Sequence, residues 1–436
     1  MSKIKFAKHH NFSQYTQMMA RMPEDPQVIK NAKKDGKWHG WMADLRQKDL
    51  SHFDLSAYDP MDFDWDTLTK WPSSNKIPKG FNHKKVLETM KDPGLGVRYL
   101  HSLGLTGKGL NMAIIDARLP DHQEYHNNIT LYEEFGDFSP EPEGSMHGAA
   151  VASIAVGKTV GVAPEAKLYY FAEQNILYET DKNGKPKLTF QNVVNSINRI
   201  LQINETLPKD KKIQVISLSW NTVDEHEYLE QMRAAVQKCK DAGIFLNSTS
   251  CSHDYGLKSH GLCRDIFKDP NDVSAYSAPD WGAWHASEKT LYFPMEHRTT
   301  AAPQGYTDYT HYALGGWSWK QPFESALFLL ARQINPTITP EHFWEIGLKT
   351  AFKRKGINII NPIKLVNVLS REMLFTLAHK KTLSADEKKH ILNLKKWIKG
   401  TDRTPSKRTR TKGLRSLRTA AAIQKKKIAE RKGLKK

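Results

Sequence analysis

Apolar positions follow two rhythms along this chain, and the rhythms alternate. Met112-Ala113-Ile114-Ile115 is an unbroken apolar run closed by Asp116, which predicts a strand buried on both faces over 111–116. Similar runs predict strands at 167–171, 213–219 and 243–246. Elsewhere the spacing turns helical. Residues 146–155 carry Val151, Ile154 and Ala155 on one face, and 191–201 carry Val193, Val194, Ile197 and Leu201. Residues 228–240 repeat the pattern with Leu229, Met232, Val236 and Cys239, and 323–332 form a long apolar helical stretch. Strands alternating with such helices predict an α/β fold, a mostly parallel sheet with helices on both faces. No internal repeat is present.

The ends have another character. Residues 1–95 hold Phe53-Asp54-Leu55, Phe63-Asp64-Trp65-Asp66 and Lys70-Trp71-Pro72 with no sustained period, which predicts an irregular aromatic- and Asp-rich extension packed onto the main domain. Residues 96–375 make the α/β domain. A capped helix is predicted within 376–400: Ser384-Ala385-Asp386-Glu387 is a capping box, Ile391, Leu394 and Ile398 share a face, and Gly400 is the expected stop. Residues 401–436 follow as a basic, disordered-type tail with 14 Lys and Arg against Asp402 and Glu430.

That tail changes the reading of charge. The chain of 436 residues carries +18, of which the tail supplies +12. The basic balance is therefore a property of the tail, which suits a solvated segment or contact with nucleic acid or an anionic surface. The N-terminal residues are basic with no apolar stretch behind them, unlike a signal peptide, and no apolar run is long enough for a transmembrane segment. Cys239, Cys251 and Cys263 are an odd, widely spaced set without a CxxC pair, which fits reduced thiols and a cytoplasmic location. Nothing in the chain demands a cofactor or a metal.

The candidate chemistry sits on three of the predicted elements. Ser318 stands in Gly315-Gly316-Trp317-Ser318-Trp319-Lys320-Gln321-Pro322, just before the 323–332 stretch. A serine there has free backbone N–H groups and the positive end of a helix dipole beside its oxygen. Its hydroxyl is a poor nucleophile until a base takes the proton, and His147, opening the 146–155 helix, has a suitable pKa. Asp116 would fix the imidazole tautomer and stabilise the imidazolium. Taken singly, Asp116 reads as a turn residue, His147 as a helix start and Ser318 as an N-cap. Three such motifs in one order, each on its predicted element, point to a triad instead.

In these motifs the chain resembles the subtilisin-like serine peptidases, the S8 family. Ile114-Ile115-Asp116-Ala117-Arg118 matches the apolar-apolar-Asp-x-Gly form except at Arg118. His147 to Ala152 matches His-Gly-x-x-Val-Ala, and Gly161 to Pro164 matches the Gly-Val-Ala-Pro turn. Gly316, Ser318 and Pro322 match Gly-x-Ser-x-x-x-Pro. The Thr67-to-Pro78 stretch, Pro93-Gly94-Leu95-Gly96 and the Gly-Gly-x-Ser-Trp-x-x-Pro form resemble an atypical intracellular bacterial branch of that family. The resemblance spans about residues 95–370. It implies a subtilisin-like three-layer fold, peptide or protein substrates, and hydrolysis through an acyl-enzyme on Ser318.

Departures from the family pattern set further expectations. Trp317, Trp319, Lys320 and Gln321 fill the variable places of the serine motif, and Lys320 is expected to be packing or surface. An ungapped match places Ser252 where the family has its oxyanion-hole Asn, with Ser250, Thr249 or Asn247 as alternatives. Ser219-Trp220-Asn221 resembles the segment that pairs with the substrate backbone. The alternative to a serine endopeptidase is a catalytically weakened subtilase-fold binding or regulatory protein. Oligomeric state has no signature in the chain.

Overall fold

A computed structural model describes residues 4–9, 43–138, 143–174, 176–180, 186–223, 228–279 and 287–402. Five parallel strands form the central sheet, in the order Ile129–Phe135, Lys167–Glu173, Asn111–Asp116, Ile213–Leu218 and Phe245–Ser248. Asp116 pairs with Ala172, Ile115 with Leu218, and Leu218 with Ser248. The carboxyl ends of these strands therefore line up, which is where an open α/β sheet builds its site.

The all-apolar strand 111–116 serves both faces, as its pattern predicts. Met112 and Ile114 pack with the helices Met146–Val156 and Gly316–Ile334. Ala113 and Ile115 pack with the helices Gln191–Thr206 and Leu229–Asp241 on the other side. Alternate side chains of a strand point to opposite faces, so one strand joins two cores and the domain has three layers.

Several elements differ from the sequence reading. The strand expected at 243–246 is Phe245–Ser248, because Gly243 adopts φ +69 in the turn before it. The extension holds a regular piece: Phe63–Asp66 pairs antiparallel with Tyr309–Tyr312, which pairs in turn with Arg298–Ala301. Phe63 and Trp65 bury with Phe81, and Trp65 stacks on His311 at 4.1 Å. A further sheet adds the parallel strands Ser259–Arg264, Leu291–Pro294 and Ile357–Ile359.

Near the C-terminus the capping box forms as expected. The Ser384 N–H donates to Glu387 Oε2 (2.8 Å) and the Glu387 N–H to Ser384 Oγ (3.1 Å). Gly400 does not end that helix, which runs Ala385–Asp402. A side chain at Gly400 would meet Leu103 at 2.7 Å, and the Gly400 carbonyl accepts from Tyr99. This glycine permits close approach rather than a stop. The basic tail beyond Asp402 lies outside the described residues.

Candidate active site

Asp116 closes its strand at the carboxyl edge of the sheet and is buried. Its Oδ1 accepts the Ala117 N–H at 2.8 Å and His147 Nδ1 at 2.6 Å. His147 is the second residue of its helix, and Ser145 caps that helix by accepting the His147 N–H at 3.1 Å. Nδ1 is thus committed to the carboxylate, while Nε2 has no partner among the described residues. Burial works against the imidazolium, but the Asp116 charge and hydrogen bond outweigh it and raise the His147 pKa above 6.5.

Gly148 lets the histidine helix reach the strand. A Cβ there would lie 2.6 Å from both the Ala117 carbonyl and the Tyr170 hydroxyl, two groups hydrogen-bonded to each other. We expect Gly148→Ala to push the helix off the sheet and cost about 1–3 kcal/mol, lowering Tm in a calorimetric scan.

Ser318 lies in the first turn of the helix Gly316–Ile334, which begins earlier than the apolar stretch suggests. Pro322, four residues on, has no N–H to give to the Ser318 carbonyl. Ser219 Oγ donates to that carbonyl instead, at 3.0 Å, tying the end of strand Ile213–Leu218 to the serine. The Ser318 hydroxyl has no hydrogen-bond partner among the described residues, and neither has its backbone N–H. Trp319, the next residue, packs on the His147 ring with centroids 5.3 Å apart. The start of the serine helix and the histidine are therefore neighbours.

Lys320 is buried, and its ammonium pairs with Glu324 one turn on at 3.0 Å and donates to Ser259. Of the packing or surface role expected, it takes the first. Pairing is what makes burial tolerable, since losing one partner of such a pair costs about 3–5 kcal/mol. Arg118, in the place of the family glycine, forks onto Glu134 through two 2.9 Å bonds and covers the Phe138 ring. Glu173 is buried beside the site. Burial, with the Asp116 charge second, pushes its pKa up to about 8.

The residues read from the sequence as oxyanion donors fall in different settings. Ser252 is exposed, in the short helix Cys251–Tyr255. Asn247 is fully buried, and its amide donates to the Gln321 carbonyl (3.3 Å) and Ser325 Oγ (3.0 Å) of the serine helix. Thr249 and Ser250 are half-buried; the Thr249 N–H donates to the Trp220 carbonyl and Ser250 Oγ accepts the Thr222 N–H. Asn221 accepts the Val223 N–H in a local turn, and Trp220 is partly buried against the second core. The contacts of Ser219 with Ser318 and of Trp319 with His147 were missed from sequence. Pro322 was the available signal for the first.

A model of the subtilase family, Peptidase S8, matches residues 47–251, just under half of the chain. The fold is subtilisin-like. The matched stretch holds Asp116 and His147 and stops short of Ser318. The serine protease AprX of Bacillus subtilis (strain 168) is 22% identical over 278 residues, 56% of this chain and 61% of that protein. The chain thus spans about three-fifths of the length of this curated relative. Among solved structures, the prenylagaramide maturation protease PagA is similar at 18% identity and TM-score 0.44, over 63% of this chain and 98% of that one. A protease from Pseudoalteromonas arctica PAMC 21717 is similar at 16% identity and TM-score 0.44, over 64% and 95%. Among the described residues no helix is long and apolar enough to cross a membrane.

Proposed function

We propose that this chain is a serine endopeptidase in which Asp116, His147 and Ser318 act as a triad. The observation that carries this reading is the 2.6 Å bond from His147 Nδ1 to Asp116, which leaves Nε2 free beside the serine helix. His147 takes the Ser318 proton as the hydroxyl attacks a peptide carbonyl, then returns it to the leaving amine. Water resolves the acyl-enzyme by the same relay. The Ser318 N–H and the Ser252 hydroxyl donate to the developing oxyanion. Substrate backbone lies along Ser219-Trp220-Asn221, which would give main-chain recognition with little side-chain selectivity. No disulfide joins Cys239, Cys251 and Cys263, which fits a reducing compartment, and we place the protein in the cytoplasm.

Labelled casein tests the activity. The full chain is expected to cleave it, and a fluorophosphonate to stop cleavage; absence of cleavage, or cleavage indifferent to the reagent, contradicts the reading. The pH profile adds a sign. Because the folded His147 pKa is raised above 6.5, the acid limb of kcat/KM is expected above that value, with activity falling as His147 protonates. The linked stability runs oppositely: it is fully present below about 6.5 and is lost as pH rises through the raised value. An acid limb below 6.5 would contradict the assignment of the base.

A further inference from the structure

Arg298 begins the strand Arg298–Ala301 and is 0% exposed. None of its three guanidinium nitrogens has a hydrogen-bond partner among the described residues. Its guanidinium carbon stands 5.5 Å from the centre of the Phe323 ring, on the helix that carries Ser318. Arg264, 1% exposed, is the nearby second cation. It donates to the Asp92 carbonyl (2.8 Å) and the Pro93 carbonyl (3.2 Å), and its Nε is also unpartnered.

The counter-charge is incomplete. Asp92 is the carboxylate whose field reaches Arg298, and its oxygens already accept from the Gly94 N–H and Asn271 and face Arg98 at 3.8 Å. Asp265 acts on His297 and pairs with Lys268. His297 and His311, with ring centroids 6.2 Å apart, sense Arg264 and are held neutral, chiefly by burial; His297 is pushed down to about 4. His297 Nδ1 and His311 Nε2 are again buried without partners. Burial, then the Arg264 charge, brings Arg298 down to about 9, so it stays charged at neutral pH. No carboxylate lies within hydrogen-bonding reach of the Arg298 guanidinium among the described residues, so its positive charge is sealed from solvent without a direct partner. Uncompensated, that arrangement costs more than a marginally stable fold tolerates.

We propose that the buried Arg298 guanidinium, with Arg264 beside it, holds one small monovalent anion of the halide class inside the protein. One negative charge neutralises the Arg298 guanidinium, whereas a divalent oxyanion would overshoot it. The apolar and polarizable surroundings, the Phe323 ring and the Met90 sulfur 3.9 Å from Arg264 Nη1, suit a weakly hydrated halide. The bound ion would tie the Arg298–Ala301 strand to the helix bearing Ser318.

Thermal unfolding of the full chain tests this at fixed pH and ionic strength, with gluconate replaced stepwise by bromide. A saturable rise in Tm of about 2–4 °C is expected. Arg298→Met keeps most of the stem volume and removes the unpaired charge, so it should fold and show no bromide response. A Tm indifferent to bromide, or an equal rise in the variant, overturns the proposal. If the variant fails to fold, crystals of the native protein in bromide decide the matter. An anomalous peak within hydrogen-bonding reach of the Arg298 nitrogens supports the site. Water alone there, or a carboxylate of the chain, overturns it.

Discussion

Asp116→Asn is expected to fold as the native protein does and to lose about 10⁴-fold in kcat. The carboxylate oxygen that accepts from His147 Nδ1 also accepts the Ala117 N–H, so an acceptor is required at that spot. An asparagine keeping its oxygen on Ala117 would still hold the turn. Its neutral amide would no longer oppose the cost of burying an imidazolium, and a flipped amide would favour the wrong tautomer. The raised His147 pKa should fall in the variant, moving the acid limb to lower pH while the plateau collapses. Steady-state kinetics on labelled casein across pH measures both effects. A loss of only a few-fold would mean that Asp116 is structural.

Ser318→Ala is expected to remove at least about 10⁴-fold of kcat and to leave stability within about 0.5 kcal/mol. The two halves follow from different atoms. The hydroxyl makes no hydrogen bond among the described residues, so deleting it breaks nothing in the folded state. The part of Ser318 that organises the helix start is its carbonyl, which Ser219 holds because Pro322 cannot, and alanine retains that carbonyl. Activity assays paired with calorimetry separate these contributions. Lost activity together with a large drop in Tm would make Ser318 a packing residue.

Much of the site was legible because its elements are locally consistent. The run 112–115 closed by Asp116 could only be a strand buried on both faces, and the small residues after His147 matched a helix pressed on a sheet. The start of the serine helix was harder to see. Lys320, Gln321 and Glu324 are polar yet buried, Lys320 bonded to Glu324 and Ser259 and Gln321 to Asn247, so the apolar rhythm becomes visible only at Phe323. Tertiary hydrogen bonds supplied what periodicity lacked.

The same cause hid the strand Phe63–Asp66. Its aspartates suggested a loop, but Asp64 is buried and accepts the Ala313 N–H at 2.6 Å, with burial pushing its pKa up to about 7. Asp66 accepts the Gln47 and Leu68 N–H groups. The Asp64 carboxylate serves a partner hairpin more than 240 residues away in sequence, which no local pattern discloses, while that of Asp66 holds turns within the extension. Gly400 shows the converse: a glycine read as a local stop was chosen by the distant Leu103.

Mass spectrometry of the full chain after brief exposure to a fluorophosphonate, with and without His147→Ala, tests the proton relay most directly. A single phosphonate on the peptide containing Ser318, forming at least ten times more slowly in the variant, is the expected result. Native protein left unmodified at Ser318, or modified there equally fast without the imidazole, would contradict the account.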